Sequence, residues 1–138
     1  MELKILISLI VFIFCVLLGG YKMLSLAKLK KNGTTIAAKI LEVTKTKTKN
    51  PANSLNYSFS PMNSERITQK RILVQSYCKH EIFENMLKDI KVGDEIKISY
   101  LQNNPKNNFP TVALDNEIKM YRNILLIGLL MSATILIL

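Results

Sequence analysis

Hydrophobic and polar positions divide this chain into three stretches. From Ile5 to Tyr21 no charged residue interrupts the run, and a second uncharged run extends from Asn123 to Leu138. At ~1.5 Å of rise per residue, helices of these lengths approach the ~30 Å hydrocarbon core of a bilayer. Met23, Leu24, Leu26 and Ala27 prolong the first run if Lys22 snorkels to the headgroups, with Tyr21 placed as an interfacial aromatic. A soluble protein would need a large core to hide helices apolar on every side, and the segment between them is too short to supply one. The pattern therefore predicts transmembrane helices over 4–27 and 121–138. A cleaved signal peptide would use Met1–Lys4 as its charged start and Ser25-Leu26-Ala27 as its cut. The apolar run exceeds a usual signal core, however, and Lys22 interrupts the approach to that cut.

Between 33 and 116 the period changes to two, as strands require. In Glu95-Ile96-Lys97-Ile98-Ser99-Tyr100 the apolar residues share one face, and Leu55, Tyr57 and Phe59 alternate with Ser54, Asn56 and Ser58 in the same way. Pro61-Met62-Asn63-Ser64 reads as a turn into a partner strand over Arg66–Ser76. An earlier strand, Thr35–Thr48, has Ile36, Ala38 and Ile40 on one face but Leu41 and Val43 on the other, which predicts a bulge or burial on both sides. Ile82, Phe83, Met86, Leu87 and Ile90 recur at helical spacing. Lys91-Val92-Gly93-Asp94 then turns the chain into the Glu95 strand, and Pro110–Leu114 supplies a last short strand. The expected fold is membrane α plus soluble β. Transmembrane helices at each end flank a small five-stranded β-barrel-like or curled-sheet domain with one short helix.

Charge adds orientation to this picture. The formal net charge of +9 is concentrated between the apolar ends. Lys22, Lys28, Lys30 and Lys31 follow the first helix, and Lys119 and Arg122 precede the second, whereas Lys4 alone lies on the other side. The positive-inside rule then puts the β domain in the cytoplasm of a multi-pass inner-membrane protein. The same lysines, including the basic juxtamembrane segment 28–32, are candidates for contact with anionic lipid headgroups.

Candidate chemistry is sparse. Cys78 and His80 form a Cys-x-His, but no second pair completes a tetrahedral zinc site. As a nucleophile and base they would share one face of an extended segment without an orienting third group. Cys15 lies in the first apolar run, so a disulfide with Cys78 is not expected, and Phe14 before it argues against lipoprotein processing. Lys45, Lys47 and Lys49 in the Thr-Lys repeat would line one face of a strand. They read either as a phosphate-tracking strip with Tyr57 and Phe59 as stacking groups, or as lysines that protect a sheet edge. The edge reading is preferred, so nucleic acid is not the expected partner. No phosphate loop, nucleophile elbow or acidic metal cluster occurs, and no cofactor is expected.

Gly33 before a strand with Ala38 and Ile40, then Gly93-Asp94, then Ile98 and Tyr100, then Asn104-Pro105, resembles a bacterial membrane family catalogued as domain of unknown function 3592. The likeness spans Gly33–Leu114. It departs at Gln102, where the family often has Pro, and in the Pro61–Ser64 hairpin, which lacks the usual Gly. The resemblance implies a membrane-bound β domain and brings no catalytic residues. On their own chemistry, Gly93 and Asp94 suit a tight turn and Asn104-Pro105 the end of a strand. The functional expectation is a non-enzymatic, membrane-anchored module that binds a protein partner or the lipid surface, one concrete version being an accessory or immunity-type protein. The competing readings are an enzyme built on Cys78 and His80 and a weak nucleic-acid binder.

Overall fold

A computed structural model describes residues 2–45, 52–62, 64–74 and 89–137. It divides into two compact units, Met1–Lys28 with Glu117–Leu138, and Leu29–Asn116.

The helical unit contains α1 (Glu2–Cys15), a π-helical turn (Val16–Gly20), the greater part of α2 (Tyr21–Asn32) and most of α3 (Leu114–Ile137). The π turn falls on Gly19-Gly20, a weak point for regular helix, and closes with the Tyr21 N–H donating to the Val16 carbonyl. The helical span Leu3–Asn32 has 30 residues and contains an 18-residue stretch of mean hydropathy 2.7, and Thr111–Ile135 has 25 residues with such a stretch at 1.3. At 1.5 Å per residue both exceed ~30 Å, so each is long and apolar enough to cross a membrane. Leu3, Leu6, Ile10, Phe14 and Leu17 are exposed on the first, and Leu126, Leu130 and Met131 on the second. Outside a bilayer such faces would be costly.

Small residues let the two helices touch. The Ser8 hydroxyl donates to the Ser132 carbonyl at 2.9 Å, the Ser132 hydroxyl returns a bond to the Ser8 carbonyl at 3.1 Å, and the two oxygens lie 2.7 Å apart. A Cβ on Gly128 would collide with the Cys15 side chain, and one on Gly19 would press on the Tyr121 carbonyl and Leu125. Contacts thus run Ser8–Ser132, Cys15–Gly128 and Gly19–Leu125, rising in one sequence as they fall in the other. This is an antiparallel pair packed backbone to backbone, the geometry membrane helices use when apolar side chains gain nothing from leaving lipid.

The second unit is a five-stranded sheet, all neighbours antiparallel, in the order β3-β2-β1-β4-β5. Its strands are β1 (Thr34–Lys45), β2 (Ala52–Phe59), β3 (Ile67–Val74), β4 (Glu95–Leu101) and β5 (Asn104–Pro110). Four antiparallel steps leave the edge strands β3 and β5 running the same way, and they meet to make a nearly closed barrel. A meander β1-β2-β3 followed by a β4-β5 hairpin on the far side of β1 is the winding of the OB barrel.

The period-two residues fill the interior as expected. Leu55, Tyr57 and Phe59 from β2 and Ile96, Ile98 and Tyr100 from β4 are all buried, with the Phe59 and Tyr100 rings 5.6 Å apart. The expected bulge in β1 lies between Ile40 and Glu42. It leaves Leu41 outside at 39% exposure and returns Val43 to the inward register opposite Leu55.

The last strand differs from expectation. It occupies Asn104–Pro110 rather than Pro110–Leu114, and Thr111–Ala113 form a 3-10 turn that leads directly into α3. Asn104-Pro105 therefore opens a strand instead of ending one. The pairing explains how Pro is accommodated. Leu101 faces Asn104 and Tyr100 faces Asn108, so Pro105, Lys106 and Asn107 bow out where no ladder donor is required. The helix expected over His80–Ile90, and the ends of the first and third strands, fall largely outside the described residues.

The helix pairing is directly testable. In full-length protein, Ser8→Cys with Ser132→Cys should form a disulfide on mild oxidation, read as loss of titratable thiols within one chain. Adding Gly128→Leu should abolish it by forcing the helices apart. Cross-linking that survives Gly128→Leu would contradict this packing.

Candidate functional site

The most concentrated chemistry in the described residues lies where β3 meets β5. No ladder joins these strands. Side chains bridge them instead. The Arg71 guanidinium on β3 donates through Nη2 to the Asn108 carbonyl on β5 at 2.9 Å and lies 5.8 Å from the centre of the Phe109 ring. Its Nε is buried with no protein partner among the described residues, so the bridge is one hydrogen bond and a cation–π contact rather than a two-pronged clamp.

Asn108 is 1% exposed and is used completely. Its Oδ1 accepts from the Tyr57 hydroxyl at 2.8 Å, while its Nδ2 donates to the carbonyls of Pro105 at 2.9 Å and Lys106 at 3.2 Å. A buried polar group left unpaired would cost ~1–3 kcal/mol, and this amide answers four such groups together with Arg71. Burial pushes the Tyr57 phenol up from 10.0 to about 12, against the charge of Arg71 and a hydrogen bond from it, which both pull the other way. Tyr57 is thus a neutral donor under all ordinary conditions.

The residues singled out in the sequence are dispersed. Lys22, Lys28, Lys30 and Lys31 are all exposed on α2, and Lys30 forms an ion pair with Asp115 at 2.6 Å. That pair is exposed and is worth at most ~1 kcal/mol. Lys45 ends β1 opposite Asn53, whereas Lys47, Lys49, Cys78 and His80 lie outside the described residues. Tyr57 and Phe59 face the barrel interior at 0% and 3% exposure, which removes them as stacking groups for bases. The Gly93 turn forms with φ +97, the left-handed region that glycine tolerates. Asp94 accepts from the Lys91 N–H at 2.8 Å, and the turn is bonded on to β1 by Gly93 N–H to the Ile40 carbonyl and Ile40 N–H to the Asp94 carbonyl, each 2.9 Å.

Arg71 and Asn108 were not anticipated as a pair. Arg71 does stand in the inward register opposite Leu55, and an arginine at a core position is a signal in itself. Its partner 37 residues on could not be named without the topology. Among the described residues, no three His, Cys, Asp or Glu gather closely enough to hold a metal ion. These features define a small barrel of OB winding carried between two helices of membrane length. No family model, curated protein or solved structure matches the chain.

The Tyr57 phenol carries a pH prediction. In the unfolded chain it loses its proton near pH 10, while the fold retains it to about 12. Stability from this group is therefore complete below pH 10 and is lost as pH rises toward 12, by roughly 2–3 kcal/mol. Urea unfolding of the detergent-solubilised chain at pH 8 and pH 11 should show a drop that is smaller in Tyr57→Phe. An identical drop in both proteins would mean that the phenol is not held as described.

Proposed function

We propose that this chain is an integral protein of a bacterial cytoplasmic membrane, a non-enzymatic interaction module whose barrel lies on the cytoplasmic side. The observation that carries this reading is the pair of membrane-length helices packed by reciprocal serine bonds, with the barrel held between them in sequence. A single residue, Gly33, separates α2 from β1, and the 3-10 turn Thr111–Ala113 separates β5 from α3. Both connections between the barrel strands and the helices are thus short in sequence.

The lysine asymmetry supports the cytoplasmic side, and the resemblance to the family of unknown function 3592 supports a membrane-bound β domain without catalytic residues. Lys22, Lys28 and Lys31 are exposed cations beside the first span, each worth ~1 kcal/mol against an anionic leaflet. The outer face of the sheet supports a protein partner over a base-stacking one. Asn56 is flanked there by Glu42 and Lys70, and Ser58 by Lys39 and Thr68. The exposed Lys39, Glu42, Thr68 and Lys70 give charges of both signs and a hydroxyl that suit a polar protein interface, while Tyr57, Phe59 and Tyr100 point inward.

Two measurements test this reading. A single cysteine at Gln102, an exposed turn residue, in a Cys15→Ser, Cys78→Ser background should react with a membrane-impermeant maleimide only after spheroplasts are lysed. Labelling of intact spheroplasts would reverse the orientation. A photo-crosslinking residue at Lys70 or Thr68 should give a discrete adduct with a cellular protein, and adducts at neither position would remove the partner from this face.

A further inference from the structure

We propose that the lower end of the β3–β5 seam is a binding site for a phosphate group on a small ligand. The chain builds a groove there, of about 590 Å³, between residues 64–68 on the approach to β3 and residues 103–106 on the β4–β5 turn and the start of β5. That volume suits a headgroup or small phosphate ester rather than a polymer.

On its β5 side the groove is lined by a bulge. Pro105, Lys106 and Asn107 bow out of the ladder between the Leu101–Asn104 and Tyr100–Asn108 pairs. Bulges commonly serve to re-aim a side chain at a site. Here the bow is held from inside. The Asn108 amide bonds the carbonyls of Pro105 and Lys106, and Tyr57 in turn fixes the Asn108 oxygen. A buried network of this kind is more than is needed to end a hairpin, and it fixes the backbone that carries Lys106.

Across the groove stands Arg66. Its Nε and Nη2 both donate to the Ser58 hydroxyl, at 3.2 and 2.7 Å, which orients the guanidinium and leaves Nη1 uncommitted by those bonds. Neither Arg66 nor Lys106 forms an ion pair among the described residues, although the acidic Glu65 lines the same groove. Thr68 and Asn104 add a hydroxyl and an amide. Two cations and two neutral donors, against one carboxylate, form a donor-rich lining that matches the several acceptor oxygens of a phosphate. The chemistry is shared by a phospholipid headgroup and by a soluble phosphate ester. Only the lipid source depends on the membrane location proposed above, and that location is read separately by maleimide labelling.

The test uses the full-length chain, titrated calorimetrically in two settings at constant ionic strength. In uncharged detergent the probe is glycerol 3-phosphate. In nanodiscs of phosphatidylcholine, the affinity for added short-chain phosphatidylglycerol is read. Binding of both probes would indicate the phosphate itself as the determinant, and binding of the lipid alone would indicate a headgroup site. In either case Arg66→Gln and Lys106→Gln should each weaken the affinity about tenfold. Lys97→Gln, on an exposed position of β4 outside the groove, should leave it unchanged. Unaltered urea midpoints would show that the groove variants fold. Binding of neither probe, or binding indifferent to Arg66→Gln and Lys106→Gln, would overturn the proposal.

Discussion

The barrel depends on how it closes, and it closes on Asn108. A sheet of five strands with no ladder between its first and last members has two rows of backbone groups to satisfy. Water can serve them at the surface, but not where the seam crosses the core. Arg71 reaches from one edge to the carbonyl of Asn108 on the other, and the Asn108 side chain serves Tyr57 and the two carbonyls behind it. Removing this amide would strand a buried phenol and leave two part-buried carbonyls without their partner. The seam is thus closed by a few directed bonds rather than by the cooperative ladder that holds the other strand pairs. That makes it the place where binding or local opening would cost least.

How far the chain could be read before its structure was known follows from the range of each interaction. β2 and β4 were legible because alternation is a local signal, and Leu55, Tyr57, Phe59, Ile96, Ile98 and Tyr100 obey it without exception. The β1 bulge was legible as a change of phase around Leu41. The last strand was misplaced because Asn104-Pro105 has two structural meanings. A proline after an asparagine ends many strands, but it also fits a bulge, and the choice was made by Asn108, whose amide holds the bow. The start of α3 at Leu114 was hidden for a similar reason. Leu114-Asp115-Asn116-Glu117 is too polar to register as part of a membrane span, yet it is helical and places Asp115 beside Lys30.

The two long apolar helices show the opposite limit. Their existence is evident from hydropathy, but their pairing is not, because an apolar run carries little information about which face meets a neighbour. Neither Gly19 nor Gly128 belongs to a Gly-x-x-x-Gly repeat. The structure shows why none was needed. The small residues are divided between two helices of the same chain, Ser8, Cys15 and Gly19 on one and Gly128 and Ser132 on the other. A motif search within a single helix sees only half of such an interface.

The same reasoning bears on where function resides in a chain without catalytic landmarks. A polar group in a core is costly unless it is paired, so a paired group at 1% exposure marks a place where the fold has accepted a constraint. Closing the barrel needs only the Asn108 backbone carbonyl, which accepts from Arg71, and the side-chain oxygen, which accepts from Tyr57. The bonds from its amide nitrogen to Pro105 and Lys106 instead hold a bulge at the surface, and the bulge carries a lysine into a groove shared with an arginine that is itself held by Ser58. Interior and surface are therefore coupled through one amide. The argument for a site rests on that coupling, because surface cations alone are common, whereas surface cations positioned by a buried polar network are not.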